Sequence, residues 1–459
     1  MQRFLYRWLL LVGVGHITLG LLLAFTAHTP LLHPYFDYLL ASVSTELPPP
    51  EFQTLLKSMV QLFGPTVASW GALFTLLIVL YRQHGHGWIK YGLYGALLIW
   101  CVLDSLISAG HGMMIHVYLN TSAALAIALP LFFLQPQRNA ITPAVQLRYL
   151  PATRQTVLVT GGSGFIGRPL VKALSQAGHR VLVLSRSIDS AARGLDGRIT
   201  LLSSLEQIGD DEVIDCIINL AGEPLAAGRW NPARKTAFGT SRERITEQLL
   251  QLAQRLRHKP KTLLSGSAVG YYGHHQDAYL DEQSAAHDGF SHQLCKRWED
   301  RALELESLGI RVCLLRIGIV LGRDGGPLQT LRLPFDFGIA TQLGDGRQWM
   351  PWIHLDDVLD SCAFLMGRTD ICGAVNLCAP EPVTQATFSR QLKQRIRQAL
   401  ISVKAPAALL RLLVGEMADE VLLSGQRVIP AKLRETGYSF RYATLAAALD
   451  DLVAKARPT

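Results

Sequence analysis

Long unbroken apolar runs and short interrupted ones divide this chain in two. The first third carries four long runs: FLYRWLLLVGVGHITLGLLLAF at the start, then Pro65–Tyr81, Trp88–Ala109 and Met113–Leu134. Each approaches the ~20 residues an α-helix needs to cross the hydrocarbon of a bilayer. The second is short but can extend backward through LLKSMVQLFG. Four transmembrane helices are predicted. A secretory signal peptide is the rival reading of the first run, because Arg3 and Arg7 precede it. The run is long for that purpose, no small-residue cleavage site follows, and more spans come after it.

After these runs QPQRNAITPAVQLRYLPATRQ, with its prolines and polar residues, reads as a linker at the membrane surface. From Gln155 the pattern changes to short apolar runs separated by polar, glycine-marked segments. QTVLVTGGSGFIGRPLVKALSQAGHRVLVLSRS is the most informative of them. Strand Val157–Val159 runs into a glycine loop, a helix follows to about Ala177 with Gly178 as its stop, and strand Val181–Leu184 completes the unit. Strand, glycine loop, helix and strand within about thirty residues form a dinucleotide-binding fingerprint. Gly161 permits the tight turn, Gly164 lets the backbone approach a pyrophosphate, and Gly167 lets the helix pack on the strand. The helix N-terminus then offers N–H groups to the phosphates. Thr160, Ser163, Phe165 and Ile166 complete the expected cofactor loop.

An NAD-preferring site usually ends the second strand on a carboxylate. Here the chain reads Ser185-Arg186-Ser187. An arginine there can pair with a 2′-phosphate, so NADP(H) is expected over NAD(H), with Arg186 as the contact. IDCIINLAG, KTLLSGSAVGYYG and RVCLLRIGIVLG are near-continuous apolar runs, as expected of parallel strands buried on both faces. Their carboxyl ends, Leu220-Ala221-Gly222 and Ser265–Ser267, should line the cofactor cleft.

Composition supports the division. The 459 residues are 49% hydrophobic and only 17% charged, with a mean hydropathy of +0.21, which suits a membrane portion joined to a soluble one. The formal net charge is +8 and the pI about 9.1. No dense basic run with interleaved aromatics argues for nucleic acid, and a cytoplasmic face near anionic lipid explains the excess. Seven scattered cysteines form no C-x-x-C pair, so neither a metal site nor a disulfide framework is expected. Arg3, Arg7, Arg82, Lys90, Arg138 and Arg148 flank the spans so as to place both termini in the cytoplasm of an inner-membrane protein. His16, Asp104, His111 and His116 fall inside or beside the spans, where an ionisable group is a functional candidate; the plainer reading puts His111 and His116 at the interface and has Asp104 hydrogen-bond within the bundle.

TGGSGFIG, NLAG and SGSAVGYYG together resemble the extended short-chain dehydrogenase/reductase superfamily. NLAGEPLAAGRW, HQLCKRWE, LLRIGIVLGRDGG, GDGRQWMPWIHLDD and GAVNLCAPEPVT resemble its atypical, epimerase-like branch over roughly residues 155–455. The stretch from LLVGEMADE to YSFRY looks like that branch's small C-terminal domain. The resemblance implies an NADP-binding, doubly wound Rossmann sheet over 155–385 and a small α/β domain over 386–459. They follow an all-α transmembrane domain over 1–138, somewhat like the DoxX-like four-helix family, and a linker over 139–154.

The superfamily's chemistry uses a tyrosine and a lysine four positions later on one helix. Aligning its usual glutamate to Glu299 puts Ser291 at the tyrosine position and Cys295 at the lysine position. The pair is absent, as it tends to be in this branch. Lys296 is rotated about 100° away along a helix. Ser267 fits the superfamily's active-site serine, and Tyr271 and Tyr272 could supply a phenol. Cys295 and Trp298 are expected to pack. Arg347 could face an anionic substrate group, with His354 orienting it, while Asp356 or Asp357 caps the next helix. The expectation is a membrane-anchored NADP(H)-dependent oxidoreductase acting on a small molecule. A non-catalytic NADP(H) sensor and a nucleotide-sugar epimerase are the alternatives.

Overall fold

The computed structural model describes residues 2–43, 49–84, 87–134, 145–151, 153–185, 199–225, 228–336, 338–396 and 399–453. The chain forms two compact units, Met1–Thr142 and Pro143–Thr459.

In the first unit the helices are α1 (Gln2–Thr26), α2 (His33–Val43), α3 (Pro50–His84), α4 (Gly87–Gly110) and α5 (Met114–Phe133). The second apolar run does extend backward, so α3 carries Pro65 in its interior. The short α2 had no counterpart in the sequence reading. Four of these helices are long and apolar enough to cross a membrane. Their outward faces are apolar: Leu62 is 77% exposed and Phe132 65%. That inversion suits lipid as the surrounding medium. Glycines set the closest helix pair. A Cβ on Gly20 would lie 2.5 Å from the Gly64 carbonyl oxygen, and one on Gly71 would lie 2.8 Å from that of Gly13. Small residues thus let the α1 and α3 backbones touch.

In the second unit seven parallel strands form one sheet. They are β1 (Thr156–Thr160), β2 (Arg180–Leu184), β3 (Ile199–Leu202), β4 (Cys216–Asn219), β5 (Thr262–Ala268), β6 (Arg311–Ile317) and β7 (Gly373–Leu377). Their order is β7-β6-β5-β4-β1-β2-β3. The order reverses between β1 and β4, which opens a crevice at the carboxyl ends of those strands. The strands bury alternate residues on the two faces. Val157, Val159, Leu264 and Leu315 pack with α6 (Gly167–Gln176). Leu158, Ile217, Leu263 and Leu314 pack with α7 (Pro232–Arg255) and α8 (Phe290–Leu303). This two-sided burial is why the strands read as continuous apolar runs.

Part of the stretch read as a linker is built into the second unit. Val145, Leu147 and Tyr149 pack against the first of these cores. Arg148 donates from its backbone N and its Nε to the fully buried Asp360, at 2.9 and 2.8 Å. The small domain is also not a plain C-terminal appendix. Strand Ile339–Leu343, which precedes β7, pairs in parallel with Ile401–Ala405. The first of these strands contributes Ala340 to a core with Trp352, Phe335 and Phe388, whereas Ile401 and Val403 are exposed.

Candidate functional site

The crevice is shaped first by missing side chains. Gly161 has φ +70°, and a Cβ there would lie 2.6 Å from the Leu220 carbonyl oxygen. Gly161 therefore meets both requirements of the turn, a left-handed backbone and close approach to the end of β4. A Cβ on Gly167 would lie 2.2 Å from the Gly161 carbonyl oxygen, so only glycine lets α6 begin there. Gly164 differs: it is exposed, and a Cβ would meet only the Gly161 oxygen at 3.1 Å. Ser163 is exposed beside it. The loop thus offers open backbone at the start of α6, a cradle that fits a dinucleotide pyrophosphate. Phe165 and Ile166 are half-buried, and the Phe165 ring is enclosed by Gly322, Gly325 and Gly326.

The neighbouring strand ends are tied together behind the loop. Thr160 Oγ1 donates to Asn219 Oδ1 at 2.6 Å, and Asn219 Nδ2 donates to Thr246 Oγ1 at 3.1 Å. Leu220 and Ala221 are half-buried and Gly222 is exposed at the crevice. Ser265 is fully buried, and its hydroxyl has no hydrogen-bond partner among the described residues. Arg186 lies outside the described residues.

Beyond the strand ends lies a cluster of side chains that hold one another. Ser267 Oγ donates to Glu299 Oε1 at 2.6 Å. Glu299 also accepts two bonds from Arg316, from Nε at 3.0 Å and Nη2 at 2.9 Å. All three residues are buried. Arg316 Nη1 donates to the Tyr272 hydroxyl at 3.1 Å, and that hydroxyl donates to Asn376 Oδ1 at 2.7 Å. Tyr272 is fully buried, and burial pushes its phenol up to about 12 despite Arg316. Burial opposes the Arg316 charge, but its bonds to Glu299 win, so the guanidinium is held more firmly protonated than usual. Tyr271 is the half-exposed tyrosine. Arg316 Cζ sits 3.4 Å from its ring centroid, and His292 donates from Nδ1 to its carbonyl at 2.5 Å.

The profile of the NAD dependent epimerase/dehydratase family matches residues 157–378. A domain of unknown function, DUF1731, matches residues 405–452. An epimerase family protein of Staphylococcus aureus is 34% identical over 302 residues, which covers 65% of this chain and 99% of that protein. The chain belongs to this epimerase family. A member from Mycobacterium leprae is 36% identical, over 65% of this chain and 96% of its own. Among solved structures, the human epimerase family protein (isoform 2) crystallised with NADPH is 30% identical. It has a TM-score of 0.59 and covers 65% of this chain and 99% of its own. A structure described as the nucleoside-diphosphate sugar epimerase of Corynebacterium glutamicum is 29% identical, with a TM-score of 0.53, and covers 66% of this chain and 58% of its own.

Against the superfamily's Tyr-Lys pair, this epimerase family member uses both helix positions for packing. Ser291 Oγ donates to Glu420 Oε2 at 2.6 Å, which ties α8 to the small domain. Cys295 is buried, and desolvation first, then Glu299, pushes its thiol up to about 11. It is therefore a thiol and not a thiolate nucleophile at neutral pH. Lys296 is exposed and bonds Asp300 on the same helix at 2.6 Å, pointing away as its spacing predicts.

Arg347 is not brought to this cluster: its side chain is 91% exposed, 3.9 Å from Asp345. His354, rather than Asp356 or Asp357, caps the helix Leu355–Gly367, accepting from the Asp356 N–H at 3.0 Å. Asp357 instead accepts from the backbone N–H groups of Arg441 and Tyr442, and so holds the returning C-terminal segment. Sequence reasoning missed Arg316, Asn376 and Arg242. Arg242 donates to the Phe238 and Glu223 carbonyls and lies 5.0 Å from the Trp298 ring centre, directly behind Gly222. No motif marks it, because its contacts join residues that are distant along the chain.

Proposed function

We propose that the chain is a membrane-anchored, NADP(H)-binding oxidoreductase of the epimerase family, acting on a small carbonyl- or hydroxyl-bearing substrate. The observation that carries this reading is the glycine cradle, open at Gly164 and closed to any side chain at Gly161 and Gly167. The NADPH held by the human relative supports the cofactor, and so does Arg186 where NAD-selecting sites keep a carboxylate. Thr160, Gly161, Ser163, Gly164, Phe165, Ile166 and Gly167 hold the pyrophosphate end. Leu220, Ala221 and Gly222 line the rest of the crevice, with Ser265 buried behind them. The bound nicotinamide supplies hydride chemistry. Tyr271 handles the accompanying proton, and Ser267, fixed by Glu299, orients the substrate oxygen. Tyr272 holds the Arg316 network in place behind them. Arg347, exposed beside Asp345 and away from this cluster, has no part in this reading.

In this reading the four apolar helices, with their DoxX-like arrangement, anchor the soluble unit on the cytoplasmic side of the inner membrane. The basic residues flanking the spans support that orientation. Assay of NADPH oxidation against a panel of aldehydes, ketones and quinones tests the catalytic part. Activity should fall at least about a hundredfold in Tyr271→Phe, the scale of general acid–base catalysis, with NADPH binding unchanged. Activity that survives this substitution rejects Tyr271.

One observation favours a second reading, a non-catalytic NADP(H) sensor. The Ser267 and Tyr272 hydroxyls are both spent on internal partners. NADPH binding without turnover of any panel member would select it. Nucleotide-sugar epimerisation has less support, because it needs a general base and the Tyr-Lys positions hold Ser291 and Cys295.

A further inference from the structure

Two arginines stand near the ends of the central strands, and they differ in how their charge is met. Arg316 is answered by the Glu299 carboxylate at 2.9 Å. Arg242, half-buried on α7, is met by carbonyl oxygens. Its Nη1 donates to that of Phe238 at 2.9 Å and its Nη2 to that of Glu223 at 3.2 Å, and among the described residues no carboxylate pairs with it. Burial depresses its basicity, and Cys295 and Glu223, acting the other way, do not make up for it. A guanidinium stays charged even so.

Its place is fixed by two neighbours. A Cβ on Gly222, just past β4, would lie 2.9 Å from the Arg242 Cζ. The Trp298 ring centre is 5.0 Å from that same atom, and the edge of the Trp298 ring lies 2.9 Å from where a Cβ on Gly266 of β5 would be. The charge therefore stands at the carboxyl ends of β4 and β5. Glycine at 222 puts no side chain between it and the crevice.

The cofactor reading, on which this inference rests, says what passes there. β1 leads into the phosphate cradle, and β2 on one side of it leads into Arg186 for the 2′-phosphate. β4 and β5 lie on the other side. A dinucleotide held in that way runs its nicotinamide half over the ends of β4 and β5. The nicotinamide ring is a cation when oxidised and uncharged when reduced. An unneutralised guanidinium repels the first and not the second.

We propose that Arg242 sets the redox preference of the site, so that NADPH is held more tightly than NADP+. The ratio should be about tenfold, the scale of two unit charges roughly 10 Å apart at an effective dielectric of about 20. For this two-electron couple a tenfold ratio raises the potential of the bound nucleotide by about 30 mV. The protein thus takes up the reduced nucleotide and lets the oxidised one go, and bound NADPH is a slightly weaker hydride donor than free NADPH.

The test is equilibrium binding to the full-length protein, with NADPH followed by its fluorescence and NADP+ by competition. Wild type should show the preference. Arg242→Gln should bring the two affinities within about twofold, mainly by tightening NADP+. Arg242→Lys keeps the charge and should retain most of the preference. Calorimetry checks that each variant is folded. Equal affinities in wild type, a measurement that needs no variant, would overturn the proposal and leave the cofactor reading standing. So would a preference that survives Arg242→Gln or vanishes in Arg242→Lys. Binding of neither nucleotide to wild type would overturn both.

Discussion

The two sides of the crevice are made of different things. The cofactor side is backbone, shaped by side chains that are missing at Gly161, Gly164 and Gly167. The other side is a chain of hydrogen-bonded side chains, Ser267–Glu299–Arg316–Tyr272–Asn376, in which each polar group answers another. The first surface is left open to a ligand. The second is a fixed wall, whose half-exposed face is Tyr271 against Arg316. The contrast teaches that the open cradle and the side-chain cluster are built independently here.

The sharpest break of that contrast is Gly167→Val. Its Cβ would overlap the Gly161 carbonyl, so nucleotide binding should be lost and the soluble unit should melt far lower in calorimetry. Gly164→Ala, by contrast, meets only one atom at 3.1 Å. It should fold with an unchanged melting temperature and still bind the nucleotide at least about tenfold more weakly, because the methyl occupies the pyrophosphate's approach. Equal loss of folding in both variants would mean the cradle is only structural.

On the other side, Glu299→Ala leaves the Arg316 charge buried without its carboxylate. Breaking such a pair costs about 3–5 kcal/mol, readable by denaturant unfolding. The contrast requires that nucleotide affinity, measured where the variant is folded, stay within about twofold of wild type.

Tyr272→Phe is smaller, about 1 kcal/mol for a buried hydrogen-bonding hydroxyl. It carries a pH signature. The ordinary phenol ionises near 10 and the folded one is pushed to about 12. The unfolded chain therefore loses this proton first, and stability should decline as pH rises from about 10 towards 12. Removing the hydroxyl should flatten that part of the profile. Lys296→Ala should do least: stability within about 0.5 kcal/mol and unchanged nucleotide binding. A large effect on turnover would return Lys296 to the site.

The same contrast explains what the sequence made legible. TGGSGFIG announces its geometry because every requirement falls within eight consecutive residues and glycine is the only residue that satisfies them. The strands were legible because burial on both faces leaves continuous apolar runs, and Lys296 was placed correctly by helical rotation alone. Arg316 was not singled out, since it sits within an apolar run, LLRIGIV, and finds Glu299 and Tyr272 only after folding. Tyr271 and Tyr272 are adjacent and identical in sequence, yet one is half-exposed and the other fully buried. Only the turn after β5 separates their fates. The docking of Arg148 on Asp360 was hidden for the same reason, with 212 residues between the partners.

The most direct test of the central claim is equilibrium binding of NADPH and NADH to the full-length protein, followed by nicotinamide fluorescence, in wild type and Arg186→Asp. The account predicts tight NADPH binding, weaker NADH binding, and a shift towards NADH in the variant. Failure of the wild type to bind either nucleotide would contradict it, and would leave the glycine cradle as an element of architecture alone.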